Sequence, residues 1–229
     1  MATMVRERER VKRPVRTVLR FVASVLMTSG ILLIADAALT LLWQEPVSAF
    51  IGSREQSALA SQLEEEAAIA GSAEQGALTG EQLEAAAARH AERTATGEAF
   101  GRMELPSLDR DYVMVEGTTT EALRKGPGHY PDTALPGEGR TVAVAGHRTT
   151  YGAPFRTIDK LEPGDEIVLE MPYARFVYEV ERQRIVAPTE TSVTRDVGSE
   201  QLVLSACHPL YSAAQRLIVF SRLDRVEPL

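Results

Sequence analysis

The sequence predicts an all-β domain carried on a membrane-anchored helix, and three observations lead there. Beyond Phe100, short apolar runs recur with turn residues between them and little helix, the pattern of a β-barrel or sandwich. Ahead of Phe100 lies a stretch rich in Ala, Glu and Gln, a composition that favours helix. At the N-terminus a basic segment precedes a long apolar one, the order of a signal anchor.

Residues 1–20 carry Arg6, Arg8, Arg10, Lys12, Arg13, Arg16 and Arg20 and read as a cytoplasmic tail under the positive-inside rule. Residues 21–43 are mostly apolar, with Asp36 the only charge. A helix of that length spans roughly 34 Å at about 1.5 Å per residue, enough for a bilayer core. Trp43 suits an interfacial anchor. A carboxylate at the bilayer centre costs about 2.5–3.5 kcal/mol, but Asp36 sits beyond the centre, toward the outer side. A cleaved signal peptide is the competing reading, with Ala35-Asp36-Ala37 imitating a cleavage site. Leu39, Leu41, Leu42 and Trp43 carry the apolar run past that point, which favours an uncleaved anchor.

Residues 44–99 read as a partly helical, solvated stalk, since Gly71, Gly76, Gly80 and Gly97 interrupt it and no strong apolar stripe persists. A coiled coil is the alternative, supported weakly by Leu59, Leu63, Leu78 and Leu83. His90 reads as a surface residue. Residues 100–229 form the β domain. Tyr112 to Val115 is a strand. Glu121 to Lys125 is a helical turn, ended by Gly126-Pro127-Gly128. Thr141 to Ala145 is a buried strand, closed by Gly146. Glu166 to Glu170 follows the Pro163-Gly164-Asp165 turn. Arg175 to Glu181 places Phe176, Tyr178 and Val180 on one face. Ile185-Val186 is a short strand limited by Pro188. The last two apolar runs, one ending at Cys207 and one starting at Arg216, predict an antiparallel pair.

A net charge of −7 argues against a nucleic-acid partner. The single cysteine excludes an intramolecular disulfide. No His/Cys/Asp cluster has zinc-ligand spacing and no Gly-rich phosphate loop follows a strand, so no cofactor is expected. What remains is a thiol, an imidazole and a guanidinium at strand ends. Cys207 closes one strand, Arg216 opens its neighbour, and His147 follows a third strand directly. An imidazole lets a thiol react as thiolate, and a fixed arginine can stabilise an oxyanion. Together they suit transpeptidation or amide hydrolysis. His208 adjoins the thiol, but neighbours along a strand point to opposite faces.

Three blocks extend this to a family. Val115-Glu116-Gly117-Thr118 through Leu123-Arg124-Lys125-Gly126-Pro127-Gly128-His129-Tyr130 is the first. Thr133 to Glu138 with Val144-Ala145-Gly146-His147-Arg148 is the second. Val203-Leu204-Ser205-Ala206-Cys207 with Arg216-Leu217-Ile218-Val219 is the third. The segment from Leu105 to Leu223 resembles the sortases, the membrane-anchored cysteine transpeptidases of Gram-positive bacteria. The Cys207-His208-Pro209 continuation, with Tyr211-Ser212-Ala213, is most similar to class E sortases of actinobacteria. The resemblance implies an eight-stranded sortase-type β-barrel outside the cell membrane. It implies catalytic roles for His147, Cys207 and Arg216. The implied partners are secreted proteins with a C-terminal Leu-Pro-X-Thr-Gly or Leu-Ala-X-Thr-Gly sorting signal, and an amine of a peptidoglycan precursor. The family's cysteine motif is Thr-Leu-X-Thr-Cys, so Val203 and Ala206 stand where the threonines would be. Ser205 or backbone N–H groups are then left to do what the second hydroxyl does. Ser205, Ala206, His208 and Tyr151 are the expected substrate-binding positions, with Tyr151 reading the second signal residue. A pilin-polymerising sortase and a silent binding protein on the same scaffold are the other two readings.

Overall fold

The computed structural model describes residues 2–42, 46–70 and 79–229, with side chains over 16–39, 48–65 and 79–229. The chain forms two units, Met1–Pro46 and Val47–Leu229. In the first, α1 (Ala2–Leu42) is a single helix. Its Arg16–Leu39 stretch has a mean hydropathy of 2.1, and Phe21, Leu26, Ile31 and Ile34 all project outward from it. A helix apolar around its circumference fits a single-pass anchor. Trp43 lies outside the described residues.

The second unit is built on eight strands. They are β1 (Ala99–Leu105), β2 (Arg110–Glu116), β3 (Gly128–His129), β4 (Thr141–Gly146), β5 (Glu166–Met171), β6 (Ala174–Val186), β7 (Gln201–His208) and β8 (Gln215–Glu227). They close into a barrel in the order β1-β2-β3-β4-β7-β8-β6-β5. Closure leaves no unpaired edge. Two neighbouring pairs, β2–β3 and β4–β7, are parallel, and the rest are antiparallel. The predicted eight-stranded barrel is the fold observed. Three strand assignments change, the first being β3, which starts at the Gly128 read as part of a turn. The chain enters the barrel at β1, ahead of the first strand read at Tyr112. Ile185-Val186 is the end of β6, beyond a register irregularity between Val180 and Arg182. The bulge breaks the two-residue alternation there, so the pattern no longer reads as one strand.

Alternation sorts the side chains into two sets. Val142, Val144, Phe176, Tyr178, Val180, Leu202, Leu204, Leu217 and Val219 fill the barrel interior. Ala143, Val203, Ile218 and Phe220 lie on the outer surface of β4, β7 and β8, where Tyr130 and Val193 pack over them. That outer surface leads to the candidate site.

The segment expected to be solvated is instead docked where its side chains are described. Helix α3 (Gly80–Arg93) buries Leu83, Ala86, Ala87 and His90 along one face, and Leu83 and Ala87 join the barrel core. His90 is therefore no surface residue. Its Nε2 donates to the Phe100 carbonyl at 2.8 Å, and burial lowers its pKa. Helix α2 (Pro46–Ala70) buries Leu59 against Val113, Val115 and Ala122. Small alanines give these helices a narrow docking face with little hydrophobic signal. Composition alone reads such a face as solvated.

Candidate active site

Strand register brings the chemistry together. On the parallel β4–β7 pair, Gly146 is level with Ala206. One residue further, His147 leaves the end of β4 beside Cys207, which is still in β7. On the antiparallel β7–β8 pair, Cys207 is level with Arg216. Alternation puts the three on the outer surface, since Val203 and Ser205 precede Cys207 with the same parity and Ile218 and Phe220 follow Arg216. The three residues predicted from sequence therefore share one row at one rim.

The backbone at His147 is held tightly. The Phe155 N–H donates to the His147 carbonyl at 2.9 Å, and the fully buried Phe155 ring lies against Gly146. A Cβ at Gly146 would overlap that ring, so only glycine permits the approach. The imidazole lies 5.4 Å from the Tyr151 ring. On Tyr151 in turn rests the guanidinium of Arg124 from α4 (Thr120–Lys125), 5.6 Å from the ring centroid. Burial pushes the His147 pKa down, and the Arg124 charge pushes it the same way. His147 Nε2 is buried and has no hydrogen-bond partner among the described residues. An acceptor or donor left open in this way is available to a thiol or a substrate amine. Arg216 directs Nη1 to the carbonyls of Ala213 and Gln215, at 3.0 and 2.9 Å. A guanidinium carries five N–H donors, and these two contacts fix it without using them all.

Behind the row lies a second pair of neighbours. Arg148 follows His147 and His208 follows Cys207, and both point away from the outer surface. Arg148 Nη1 donates to His208 Nδ1 at 3.4 Å. Its Nη2 donates to the Arg156 carbonyl at 3.0 Å and pairs with Asp159 at 2.9 Å. The Arg148 side chain is only 2% exposed. A buried charge demands such partners. His208 is thus held in this supporting layer. Arg156 reaches on to the Tyr211 hydroxyl at 3.1 Å.

The remaining sequence-predicted positions divide. Ser205 is buried on the Cys207 side of β7. Tyr151 sits beside His147 in a left-handed conformation, φ 51°. Ala206 faces the other way, into the barrel core, 3% exposed. A hydroxyl at that position would enter the core beside Leu204. Arg124, Phe155 and the Arg148–Asp159 pair were not singled out from sequence. Arg124 and Arg148 lie inside the blocks quoted above, and that proximity was the available signal.

Comparison with known proteins decides the family. Residues 103–224, more than half of the chain, match the sortase domain. The chain belongs to the sortase family. It is similar to sortase D of Bacillus subtilis (strain 168), 36% identical over 131 residues, which are 56% of this sortase and 65% of the relative. Sortase SrtE1 of Streptomyces coelicolor is 32% identical over 148 residues, covering 42% of that protein. The matched stretch thus spans under two thirds of either relative. Among solved structures, sortase E from Streptomyces avermitilis aligns with a TM-score of 0.55 at 37% identity, over 58% of this sortase and 93% of that chain. Sortase E1 from Streptomyces coelicolor, solved with a tripeptide in the active site, aligns at 0.56 and 32%, over 59% and 93%. The resemblance to class E noted in the Cys207-His208-Pro209 segment agrees with these neighbours.

Proposed function

We propose that this sortase is a membrane-anchored cysteine transpeptidase that cleaves a C-terminal sorting signal between Thr and Gly and joins the released carboxyl end to a cell-wall precursor amine. The observation that carries the reading is the single row of His147, Cys207 and Arg216, with the imidazole Nε2 left open. The tripeptide in the active site of the Streptomyces coelicolor neighbour supports a peptide substrate.

Cys207 attacks the Thr carbonyl as thiolate, the form in which a cysteine is nucleophilic. Its proton resides on His147. Because burial lowers the His147 pKa, the imidazolium is a ready acid, and only a minority of molecules carry the charged pair at once. Arg216 donates to the oxyanion as the C–S bond forms. His147 then gives its proton to the Gly amine, the C–N bond breaks, and a thioacyl enzyme remains. The acceptor amine attacks that thioester and gives its proton to His147; the new C–N bond forms, the C–S bond breaks, and Cys207 leaves as thiolate. Ser205 shares the thiol's side of β7 and lines the peptide's path. Tyr151 borders the second signal residue. His208 supports from behind through Arg148. Ala206 offers no group to the outer surface, so the oxyanion relies on Arg216 and backbone N–H groups. Helix α1 fits the anchor, with residues 1–20 inside the cell and the barrel outside.

The test is cleavage of Leu-Ala-X-Thr-Gly and Leu-Pro-X-Thr-Gly peptides with and without an added amine. The native chain is expected to cleave at least one and to form the amide with the added amine. Cys207→Ala is expected to lose both activities while its circular dichroism is unchanged. Turnover retained in Cys207→Ala, or a native chain inert toward both peptides, overturns the proposal.

A further inference from the structure

Helix α2 lies outside the residues that match the sortase domain, yet its buried Gly52 meets the loop that follows His147. A Cβ at Gly52 would come within 2.7 Å of the Tyr151 carbonyl carbon and 2.9 Å of both the Tyr151 oxygen and the Gly152 nitrogen. Only a hydrogen fits. The same helix face continues through Gln56 and Leu59, spaced as successive turns. Gln56 accepts from the Val113 N–H at 2.8 Å and donates to the Val113 and Lys125 carbonyls at 2.9 and 2.8 Å. Lys125 closes α4, which also carries Arg124. One face of α2 therefore secures both the backbone under Tyr151 and the helix whose arginine lies over the Tyr151 ring.

The supported loop is a strained one. Tyr151, Gly152 and Ala153 are all left-handed, with φ of 51°, 75° and 45°. Two of the three carry a Cβ, and side-chain-bearing residues hold that conformation only where surroundings enforce it. The loop's own bonds, Ala153 N–H to the Thr150 carbonyl and Phe155 N–H to the His147 carbonyl, both span the point that Gly52 touches. The Tyr151 ring then contacts the imidazole at 5.4 Å. A continuous path of contacts runs from α2 to His147.

We propose that α2 is a working part of the active site, in which Gly52 and Gln56 are positioning residues that prop the Tyr151 loop and thereby set the His147 imidazole. The catalytic unit of this sortase then begins at α2 rather than at β1. Ordinary close packing of a helix on a barrel would make the same glycine necessary, but it would affect stability alone.

The experiment uses the full chain in detergent, where Cys207 is the lone cysteine and its alkylation by iodoacetamide needs no peptide. The charged and titratable groups at this end of the barrel are Arg124 on α4, Arg148, Tyr151, Arg156 and Asp159 in the segment after β4, Cys207 and His208 on β7, Tyr211 beyond it, and Arg216 on β8. Gly52→Ala is expected to lower kcat for the signal peptide about tenfold with KM little changed, the cost of a slightly misplaced group. It is also expected to move the imidazole's inflection in the alkylation–pH profile upward, because a loosened loop admits water and relieves the burial that depresses it. Gly80→Ala, a helical glycine with nothing within 4 Å of its Cβ position, is expected to change neither. Native behaviour of Gly52→Ala in both readouts, or equal shifts in Gly80→Ala, overturns the proposal. If Gly52→Ala does not fold, Gln56→Leu decides by the same readouts, since it removes the docking bonds without adding an atom beside the loop. The proposal rests on the transpeptidase reading for its kcat readout alone. Should the native chain cleave no peptide, the alkylation profile still decides the role of α2.

Discussion

The two ends of β7 are built to different standards. Just before the strand, Glu200 accepts hydrogen bonds from the Gly137 and Gly139 N–H groups at 3.1 Å and from the Tyr178 hydroxyl at 2.7 Å. Burial raises the Glu200 pKa and these bonds draw it back. Tyr173 nearby donates to the Pro136 carbonyl at 2.8 Å. At the far end stand Cys207 and its neighbours, where His147 Nε2, Arg148 Nε and Arg156 Nη1 are buried without partners among the described residues. Tyr151, Ala153 and Tyr211 adopt left-handed backbone there. Satisfied polar networks stabilise, while open donors and strained loops are tolerated where chemistry needs them. The contrast says that substitutions at the first end should cost stability, and substitutions at the second should cost rate.

After the complete loss expected of Cys207→Ala, the largest effect should fall on Arg216→Ala. Loss of an oxyanion donor costs about 10²–10³ in kcat, and steady-state kinetics should show it with an unchanged melting temperature. A parallel fall in melting temperature would make Arg216 structural and erase the contrast. Arg148→Met comes next. It strips the Arg156 carbonyl and the half-exposed Asp159 of their donor, so about 1–3 kcal/mol of stability should go with it, and loss of the contact to His208 should lower kcat on the order of tenfold. Urea unfolding and kinetics on one preparation separate the two. At the other end, Tyr178→Phe should remove about 1–2 kcal/mol of stability by taking one of the buried Glu200's hydrogen bonds and leave kcat as it was. A change in kcat there would show that the ends are coupled through β7.

The smallest effect is one of pH. His90 has a lowered folded-state pKa because it is buried. Between its unfolded value, about 6.5, and the lower folded one, the unfolded chain binds the extra proton. Stability is then complete above the unfolded value and declines as pH falls through this window. His90→Gln keeps a donor for the Phe100 carbonyl and should flatten the decline that begins as pH falls below about 6.5. An unchanged urea midpoint profile would move the effect to another group.

Much of this was legible in the residues. The apolar runs ending at Gly146 and Cys207 and the run opening at Arg216 define β4, β7 and β8 because each is buried on two sides and bounded by turn residues. The thiol–guanidinium pairing across β7 and β8 follows from the antiparallel reading. The facing of Ala206 was also available, since it shares parity with Leu202 and Leu204. What stayed hidden is interaction across long sequence distances. Arg148 and His208 lie 60 residues apart, and nothing local couples them. The docking of α2 and α3 rests on Ala, Gly and a hydrogen-bonding Gln56, which carry almost no hydrophobic signal. Strand β1 follows Gly97 without the alternation of β6, because Gly101 interrupts it.

The parallel pairing of β4 with β7 has a consequence in time. Parallel neighbours cannot form from a hairpin, and contacts between residues so far apart in the chain are slow to close. Here β5 and β6 lie inside the crossover. Until the crossover closes, Cys207 is a cysteine without its histidine, on a strand without its neighbour. On the proposed mechanism the thiol therefore acquires its reactivity late in folding, and an unfinished barrel carries a nucleophile that is not yet armed.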